Sequence, residues 1–309
     1  MTIAVESYFD ESSNTFTYLV VDQESLAAVI IDPVLDFDLH SGRLDTVSAD
    51  KLLKHVQDQG LDICYILETH AHADHLSAGH YLRAHTGAEL GIGSQITEVQ
   101  KAFAPIFEAD DVALDGSAFD LLLADGETLP LGNAEIQVMH TPGHTPACAT
   151  YVIGDAVFVG DTLFMPDFGT ARCDFPGGDA AVLYQSIKKI LSLPEEARLF
   201  TCHDYLPEGR SSYASESSVV QQKQSNIHVH DGIEADAFIA MRKARDAKLA
   251  APKLILPSLQ VNIRAGTLPP AEKSGAVFLR LPVNAFPGFQ ATSEELNAKL
   301  HDFEPDWHI

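Results

Sequence analysis

Glu68-Thr69-His70-Ala71-His72-Ala73-Asp74-His75 is the most informative stretch of this chain, because it places three imidazoles and one carboxylate close together. It directly follows the apolar run Ile63 to Leu67, which is typical of a buried strand. Imidazole is the commonest protein ligand for divalent first-row metals, and carboxylate suits the harder ions of that series. The stretch therefore predicts a metal site in a loop at the end of a strand.

Three further polar side chains stand at the ends of hydrophobic runs. They lie in Thr141-Pro142-Gly143-His144-Thr145, in Val159-Gly160-Asp161-Thr162-Leu163 and in Thr201-Cys202-His203-Asp204-Tyr205. Burying so many imidazoles and acids without a metal would leave several polar groups short of partners, which costs free energy. Metal binding is therefore favoured over a purely structural role. The candidate ligands are His70, His72, Asp74, His75, His144, Asp161 and His203.

The type and number of metal ions stay open from these residues alone. The seven groups could hold two zinc ions bridged by Asp161, whose bound water would ionise near neutral pH and attack a thioester or lactone. They could instead hold one iron ion through two imidazoles and one carboxylate, with open positions for substrate and dioxygen. In that case the remaining histidines and aspartate would orient the ligands by hydrogen bonds.

Composition excludes several classes of partner and favours a cytoplasmic protein. The formal charge of -24 over 309 residues argues against nucleic acid and anionic membranes, which both attract cationic surfaces. The N-terminal residues lack the basic start and long apolar run of a secretory signal, and no apolar run is long enough to cross a membrane. The four cysteines show no C-x-x-C spacing, so neither a disulfide framework nor a cysteine zinc cluster is expected.

The cations are distributed unevenly along the chain. No lysine or arginine occurs between Lys101 and Arg172. A small anion that binds an acidic protein needs a local basic patch to overcome the long-range repulsion. A basic cluster occurs between residues 242 and 253. Taken alone, it would be explained as the solvated face of a helix, but in this acidic protein it is a candidate binding patch. Its members are Arg242, Lys243, Arg245, Lys248 and Lys253.

The order of predicted elements indicates a layered α/β fold in which strand ends carry the site. We predict a domain boundary near Gly209, with a catalytic domain over residues 1–209 and a helical, Pro-rich extension over residues 210–309. Strands are predicted at 15–21, 27–32, 63–67, 88–92, 135–140, 149–153, 156–160 and 199–202, the last of these closing the main body. Helices are predicted at 50–59, 76–86, 178–193, 215–225 and 234–250.

The H-x-H-x-D-H pattern, followed by His144, Asp161 and His203 in that order, closely resembles the metallo-β-lactamase superfamily. Two other runs are similar to one subfamily, the glutathione-persulfide dioxygenases. They are Gly169-Thr170-Ala171-Arg172-Cys173-Asp174-Phe175 and Pro257-Ser258-Leu259-Gln260-Val261-Asn262-Ile263-Arg264-Ala265-Gly266. The resemblance covers nearly the whole chain and implies an αββα sandwich with a C-terminal helical and Pro-rich extension.

The resemblance also implies a cofactor and a reaction. Members of the subfamily hold one Fe(II) per chain at positions that correspond to His70, His144 and Asp161, which makes these the catalytic residues. They oxidise glutathione persulfide with O2 and water to sulfite and glutathione. The main alternative is a glyoxalase II-type hydrolase of glutathione thioesters with a dinuclear zinc site, in which His72, Asp74, His75 and His203 would hold the second ion.

Four residues are expected to contact the glutathione part of the substrate. Arg245 and Lys248 match the Arg-x-x-Lys pair with which glyoxalase II enzymes hold the glycine end, and Tyr205 matches a tyrosine two residues after their last metal-binding histidine. Arg172 lies near the position of a further cation. Cys173 replaces the threonine of mitochondrial members, a change interpreted as a neutral swap. The sequence leaves open whether the chain forms a homo-oligomer and whether a rhodanese or sulfide-oxidising partner supplies the persulfide.

Overall fold

Two six-stranded β-sheets form the centre of the computed structural model, which describes residues 2–284, 292–295 and 297. The first sheet contains, in spatial order, β1 (Ile3–Asp10), β2 (Thr15–Asp22), β3 (Ala27–Ile31), β6 (Asp62–Glu68), β8 (Glu89–Gly93) and β9 (Leu121–Leu123). The second contains β10 (Thr128–Leu131), β11 (Ala134–His140), β12 (Ala149–Ile153), β13 (Ala156–Gly160), β14 (Arg198–Thr201) and β15 (Glu216–Ser218). A small third sheet has the order β5 (Arg43–Asp45), β4 (Val34–Asp38) and β7 (Leu76–Ser77).

Seven α-helices and one short 3₁₀ helix at Pro105–Phe107 complete the described part of the fold. The helices are α1 (Val47–Gln59), α2 (Gly79–Thr86), α3 (Ile96–Phe103), α4 (Ala180–Ile190), α5 (Val219–Ser225), α6 (Ala235–Asp246) and α7 (Ile255–Asn262). Within the described residues, no helix is both long and apolar enough to span a membrane.

The apolar side chains form three hydrophobic cores, because successive residues of a strand point to opposite faces of its sheet. In β3, Val29 and Ile31 point to the core between the two sheets, whereas Ala28 and Ile30 point outward to a core that α1, α2 and α3 cover. A third core lies between the outer face of the second sheet and the helices α4 and α6. Helices thus cover both outer faces, and the αββα sandwich implied by the resemblance is confirmed.

Most predicted elements are present, but three segments differ from expectation. The helix predicted at 76–86 begins only at Gly79, because Leu76 and Ser77 pair with β4 and are therefore extended. The helix predicted at 215–225 begins at Val219, since residues before it form β15 and pair with β14. The strand at 198–201 is consequently not the last strand of the sheet.

The third difference lies in the C-terminal extension. The segment treated as a Pro-rich tail contains α7, whose Pro257 lies in the first turn, where a helix does not need its missing N–H. The boundary near Gly209 stays a prediction, and the final part of the 210–309 extension, including Pro287, lies outside the described residues. No sequence pattern predicted strands β1, β4, β5, β7, β9, β10 and β15 or helices α3 and α7.

Two buried tyrosines connect the sheets by hydrogen bonds. Tyr18 in β2 donates its hydroxyl to the carbonyl of Thr201 in β14. Tyr151 in β12 donates to the carbonyl of Glu68 in β6, at 2.8 Å. Both side chains are fully buried. The bonds cross the central core and join the strand ends that precede the predicted ligands.

Replacing Tyr18 by phenylalanine should lower the free energy of unfolding by about 1–2 kcal/mol, because the buried carbonyl of Thr201 loses its partner. Urea denaturation would measure the change. Tyr81→Phe is the matched control, since the Tyr81 hydroxyl bonds to Asp50 at the surface and its loss should cost less than about 0.5 kcal/mol. Equal effects of the two substitutions would contradict the prediction.

Candidate metal centre and substrate cavity

A buried aspartate that the sequence analysis did not select holds the loop after β6. Asp32 follows β3, which runs parallel to β6. Its carboxylate accepts hydrogen bonds from the backbone N–H and the hydroxyl of Thr69, at 2.7 and 2.8 Å. It also lies 3.0 Å from Nε2 of His72. The sequence offered one signal for this role, an acid directly after an apolar strand. That signal could be interpreted only once β3 was known to lie beside β6.

The seven predicted ligands converge into two adjoining groups. His70, His144 and Asp161 form one group, in which each residue offers a ligand atom within 4.8 Å of the others. His72, Asp74, His75 and His203 form the second group by the same measure. Asp161 lies between them, with Oδ2 at 3.6 Å from Nε2 of His144 and Oδ1 at 3.3 Å from Nε2 of His203.

Hydrogen bonds orient the histidines of the first group. Nδ1 of His144 donates to the carbonyl of Arg172 at 2.7 Å, which leaves Nε2 with its lone pair facing Asp161. Nδ1 of His70 lies 3.0 Å from the hydroxyl of Thr69, whose own hydrogen points to Asp32. His70 therefore donates from Nδ1 and also presents Nε2 as a ligand. Such contacts are the usual way proteins set the tautomer of metal-binding histidines.

Two glycines allow the segments that carry His144 and Asp161 to approach their neighbours. Gly143 has φ +134°, and a Cβ there would lie 2.3 Å from Cα of Leu183 in α4. Gly160 has φ +53°, and a Cβ there would lie 2.6 Å from the hydroxyl of Thr69. A side chain at either position would displace the neighbouring ligand, so these positions require glycine.

Four buried polar atoms at this place lack a well-formed hydrogen bond within the described chain. They are Nδ1 of His72, Nε2 of His75, Nε2 of His203 and Oδ1 of Asp161. Buried polar atoms without partners are rare because each costs roughly 1–3 kcal/mol. Bound cations would satisfy these lone pairs, so the residues present fit a metal centre.

Electrostatics differ between the two groups. Burial, reinforced by the neighbouring imidazoles, lowers the pKa of His70 well below its usual value, so its ring is neutral and ready to bind a metal. Burial also disfavours charge on His72, but the carboxylates of Asp32 and Glu68 outweigh it and raise the pKa of His72 well above its usual value. A cation in the second group must therefore displace a proton from His72, whereas one in the first group need not displace a proton from His70.

A cavity of about 670 Å³ opens onto the first group. Of the seven predicted ligands, only His70, Asp74, His144 and Asp161 line it. Phe164, Phe168 and Leu254 contribute to its apolar wall. The second group lies deeper, since His72, His75 and His203 do not line this cavity.

The predicted substrate contacts occupy different positions relative to this cavity. Arg172, Tyr205 and Arg245 line it, whereas Lys248 does not. Arg172 already forms two bonds to Asp174, at 2.6 and 2.7 Å. The guanidinium of Arg245 has no hydrogen bond or ion pair to another described residue, and it is the predicted cation most available for a ligand.

Two further cations, Arg242 and Lys253, line the cavity. The sequence placed both in the basic cluster but did not predict them as individual substrate contacts. Lys253 is exposed, and its ammonium has no ion pair among the described residues. Arg242 is buried and holds Asp246 with Nε at 2.8 Å from Oδ1, so its role is structural. Lys253 thus adds a second unpaired positive charge to the cavity beside Arg245.

Cys173 is a buried thiol next to Asp246. Its Sγ donates to Asp246 at 3.3 Å, and its backbone N–H donates to the same carboxylate at 2.9 Å. Burial, with the carboxylate of Asp246, raises the pKa of Cys173 to about 12. The thiol therefore stays protonated at neutral pH. This agrees with the interpretation of Cys173 as a replacement for threonine that has no reactive role.

Comparison with known proteins places the fold and the ligand set in one family. Residues 12–203 match the model of the metallo-β-lactamase superfamily. The chain is 52% identical over 295 residues to a probable metallo-hydrolase of Burkholderia pseudomallei, covering 92% of this chain and all of that protein. It is 34% identical over 206 residues to the human mitochondrial persulfide dioxygenase ETHE1, covering 66% and 69% of the two chains.

A solved structure supports the same assignment. The crystal structure of ETHE1 from Myxococcus xanthus superimposes with a TM-score of 0.68 at 30% sequence identity, covering 85% of this chain and all of that one. The chain therefore belongs to the metallo-β-lactamase superfamily and carries a metal-binding site of histidine and aspartate residues.

Proposed function

We propose that this chain is an iron-dependent persulfide dioxygenase. It converts glutathione persulfide, dioxygen and water into sulfite, glutathione and two protons. The observation that carries the proposal is the arrangement of His70, His144 and Asp161, which offer two imidazoles and one carboxylate to an open cavity. Two histidines and one carboxylate with open positions are typical of non-haem Fe(II) oxygenases. The similarity to human and bacterial ETHE1 proteins adds support.

The protein's own contribution is to hold ligands, bind the substrate and limit water. A bound Fe(II) would supply the redox chemistry that dioxygen requires and that zinc lacks. His70 and His144, each with Nε2 directed at the site, would keep this ion in place. The ring of Tyr205 packs against Phe168 with a centroid distance of 4.9 Å, which helps to shield one side of the cavity. A persulfide is already ionised near neutral pH, so the reaction needs no strong protein base.

Binding of glutathione follows from the charges along the cavity. The substrate carries two carboxylates and one amine, so its site should offer fixed cations. We propose that Arg245 and Lys253 bind the carboxylates, because both line the cavity and neither has an ion-pair partner among the described residues. An arginine fork donates two parallel hydrogen bonds to one carboxylate. Arg172 and Tyr205 are proposed to contact the remainder of the substrate.

A hydrolase is the second candidate, and one feature of the site favours it. The deeper group of His72, Asp74, His75 and His203 contains three buried nitrogens that lack a hydrogen bond within the described chain, and a second ion held by this group and Asp161 would satisfy them. One relative carries the name metallo-hydrolase. This candidate is a glyoxalase II-type enzyme that hydrolyses glutathione thioesters with two zinc ions.

Oxygen uptake with a defined substrate distinguishes the two candidates. Purified protein loaded with Fe(II) should consume one O2 per sulfite formed when glutathione persulfide is added. Elemental analysis of the active protein should find about one iron per chain. No oxygen uptake by iron-loaded protein, together with rapid hydrolysis of S-lactoylglutathione by protein containing two zinc ions, would replace the dioxygenase with the hydrolase.

His144→Ala should abolish stoichiometric iron binding, because the ion would lose one of three protein ligands and be held mainly by water. Iron per chain after gel filtration gives the measurement. His75→Ala is the control, since His75 belongs to the deeper group and should leave the single iron in place. Retention of iron by His144→Ala, or equal loss in both variants, would count against a single ion at the first group.

Arg245→Ala should weaken binding of glutathione persulfide by about 1–3 kcal/mol, roughly 5- to 150-fold, with a smaller change in turnover. The lost interactions are charge-assisted hydrogen bonds to a carboxylate. Steady-state kinetics at fixed oxygen would show the change in KM. Lys248→Ala is the matched control, because it also removes one positive charge but from a side chain that does not line the cavity. It should change KM little. A larger effect of Lys248→Ala than of Arg245→Ala would contradict the prediction.

A further inference from the structure

A single side chain in the C-terminal extension holds the backbone of the predicted metal loop. Asn262 is the last residue of α7 and is buried. Its Nδ2 donates to the carbonyls of His72 and His75, both at 2.8 Å. Its Oδ1 accepts from the backbone N–H of Ser77, also at 2.8 Å. Both donors and one acceptor of the amide are therefore used on one short segment of the loop.

The three contacts bracket the segment that carries most of the deeper ligands. His72, Asp74 and His75 lie between the first and last backbone groups that Asn262 binds. Backbone carbonyls in such an irregular loop have no strand or helix to satisfy them. The side-chain amide of Asn262 supplies the hydrogen bonds that a strand or helix would otherwise supply. It thereby fixes the peptide groups next to His72 and His75.

Other contacts keep Asn262 against the loop. Gly266 has φ +81°, and a Cβ there would lie only 2.9 Å from the carbonyl of Ser77. The chain beyond α7 thus packs directly on the same backbone. Gln100 in α3 donates to the carbonyl of Ile263 at 3.0 Å, and Arg264 pairs with Asp111 at 2.7 Å. These bonds anchor the residues that directly follow α7.

We propose that Asn262 is a positioning residue for the metal centre, so that α7 of the C-terminal extension is a working part of the site. Its amide holds the His72–Ser77 backbone, and through it the loop that also carries His70, in the conformation that directs these imidazoles toward the site. The inference rests on the proposed metal centre, but not on which reaction that centre performs. Asn262 lines neither the substrate cavity nor either ligand group, and it acts only through the loop.

Asn262→Ala tests the proposal, with Gln100→Ala as the matched control. Both residues are buried amides whose side chains bond to backbone groups, but Gln100 bonds to the carbonyl of Ile263 and the N–H of Gly116 and has no hydrogen bond to the metal loop. Metal affinity is measured by chelator competition with Fe(II), and geometry by the visible absorption of Co(II)-loaded protein. Asn262→Ala should bind metal about 10- to 100-fold more weakly and change the Co(II) spectrum. Gln100→Ala should lose comparable thermal stability while its affinity and spectrum stay close to wild type.

The kinetic pattern adds a second readout. Asn262→Ala should lower kcat and leave KM for the substrate nearly unchanged, because the cavity wall is intact. An unaltered metal affinity and Co(II) spectrum in Asn262→Ala would overturn the proposal. Equal losses of affinity in both variants would also overturn it, since they would reflect stability alone.

Two further arms keep the outcomes distinct. If Asn262→Ala does not fold, Asn262→Asp takes its place, because it keeps the shape and the acceptor for Ser77 but lacks both N–H donors. Asn262→Asp should show the same loss of affinity, and wild-type affinity in it would overturn the proposal. A wild-type protein that binds no metal at all would instead sink the proposed function.

Discussion

The buried carboxylate of Asp32 is the interaction on which the site depends. It accepts hydrogen bonds from the N–H and hydroxyl of Thr69 and lies 3.0 Å from Nε2 of His72. These contacts are made where β6 ends and the metal loop begins. Burial opposes a charge on Asp32, but the attraction of His72 and the hydrogen bonds outweigh it and hold its pKa below the usual value. The ionised carboxylate therefore fixes the loop and, through the Thr69 hydroxyl, sets the tautomer of His70.

The metal centre is assembled between the two sheets, and the C-terminal extension supports it from two sides. The loop after β6 comes from the first sheet, whereas His144, Asp161 and His203 follow β11, β13 and β14 of the second. Helix α6 and the residues after it supply cations to the open side of the site. Helix α7 holds the loop from behind through Asn262. Residues beyond 209 thus both line the cavity and hold the metal loop.

Sequence patterns predicted the elements that rest on local signals. The helix predicted at 50–59 corresponds to α1, which is followed by Gly60 in the left-handed conformation, and the strands predicted at 15–21 and 27–32 correspond to the antiparallel pair β2 and β3. Errors occurred where a distant partner decides the conformation. Leu76 and Ser77 are extended because β4 lies beside them, and residues 216–218 are extended because β14 does. Periodicity within a segment carries no information about such partners.

By itself, the sequence identified the seven candidate metal ligands, because imidazoles and carboxylates clustered at strand ends are typical of metal sites. Only the tertiary structure decided how they divide into a group that lines the cavity and a deeper group, since that depends on how two sheets meet across the loop. It likewise decided that Arg245 and Lys253 reach the cavity whereas Lys248 does not. The roles of Asp32 and Asn262 arise from contacts across 37 to 190 positions of chain, which no local pattern records.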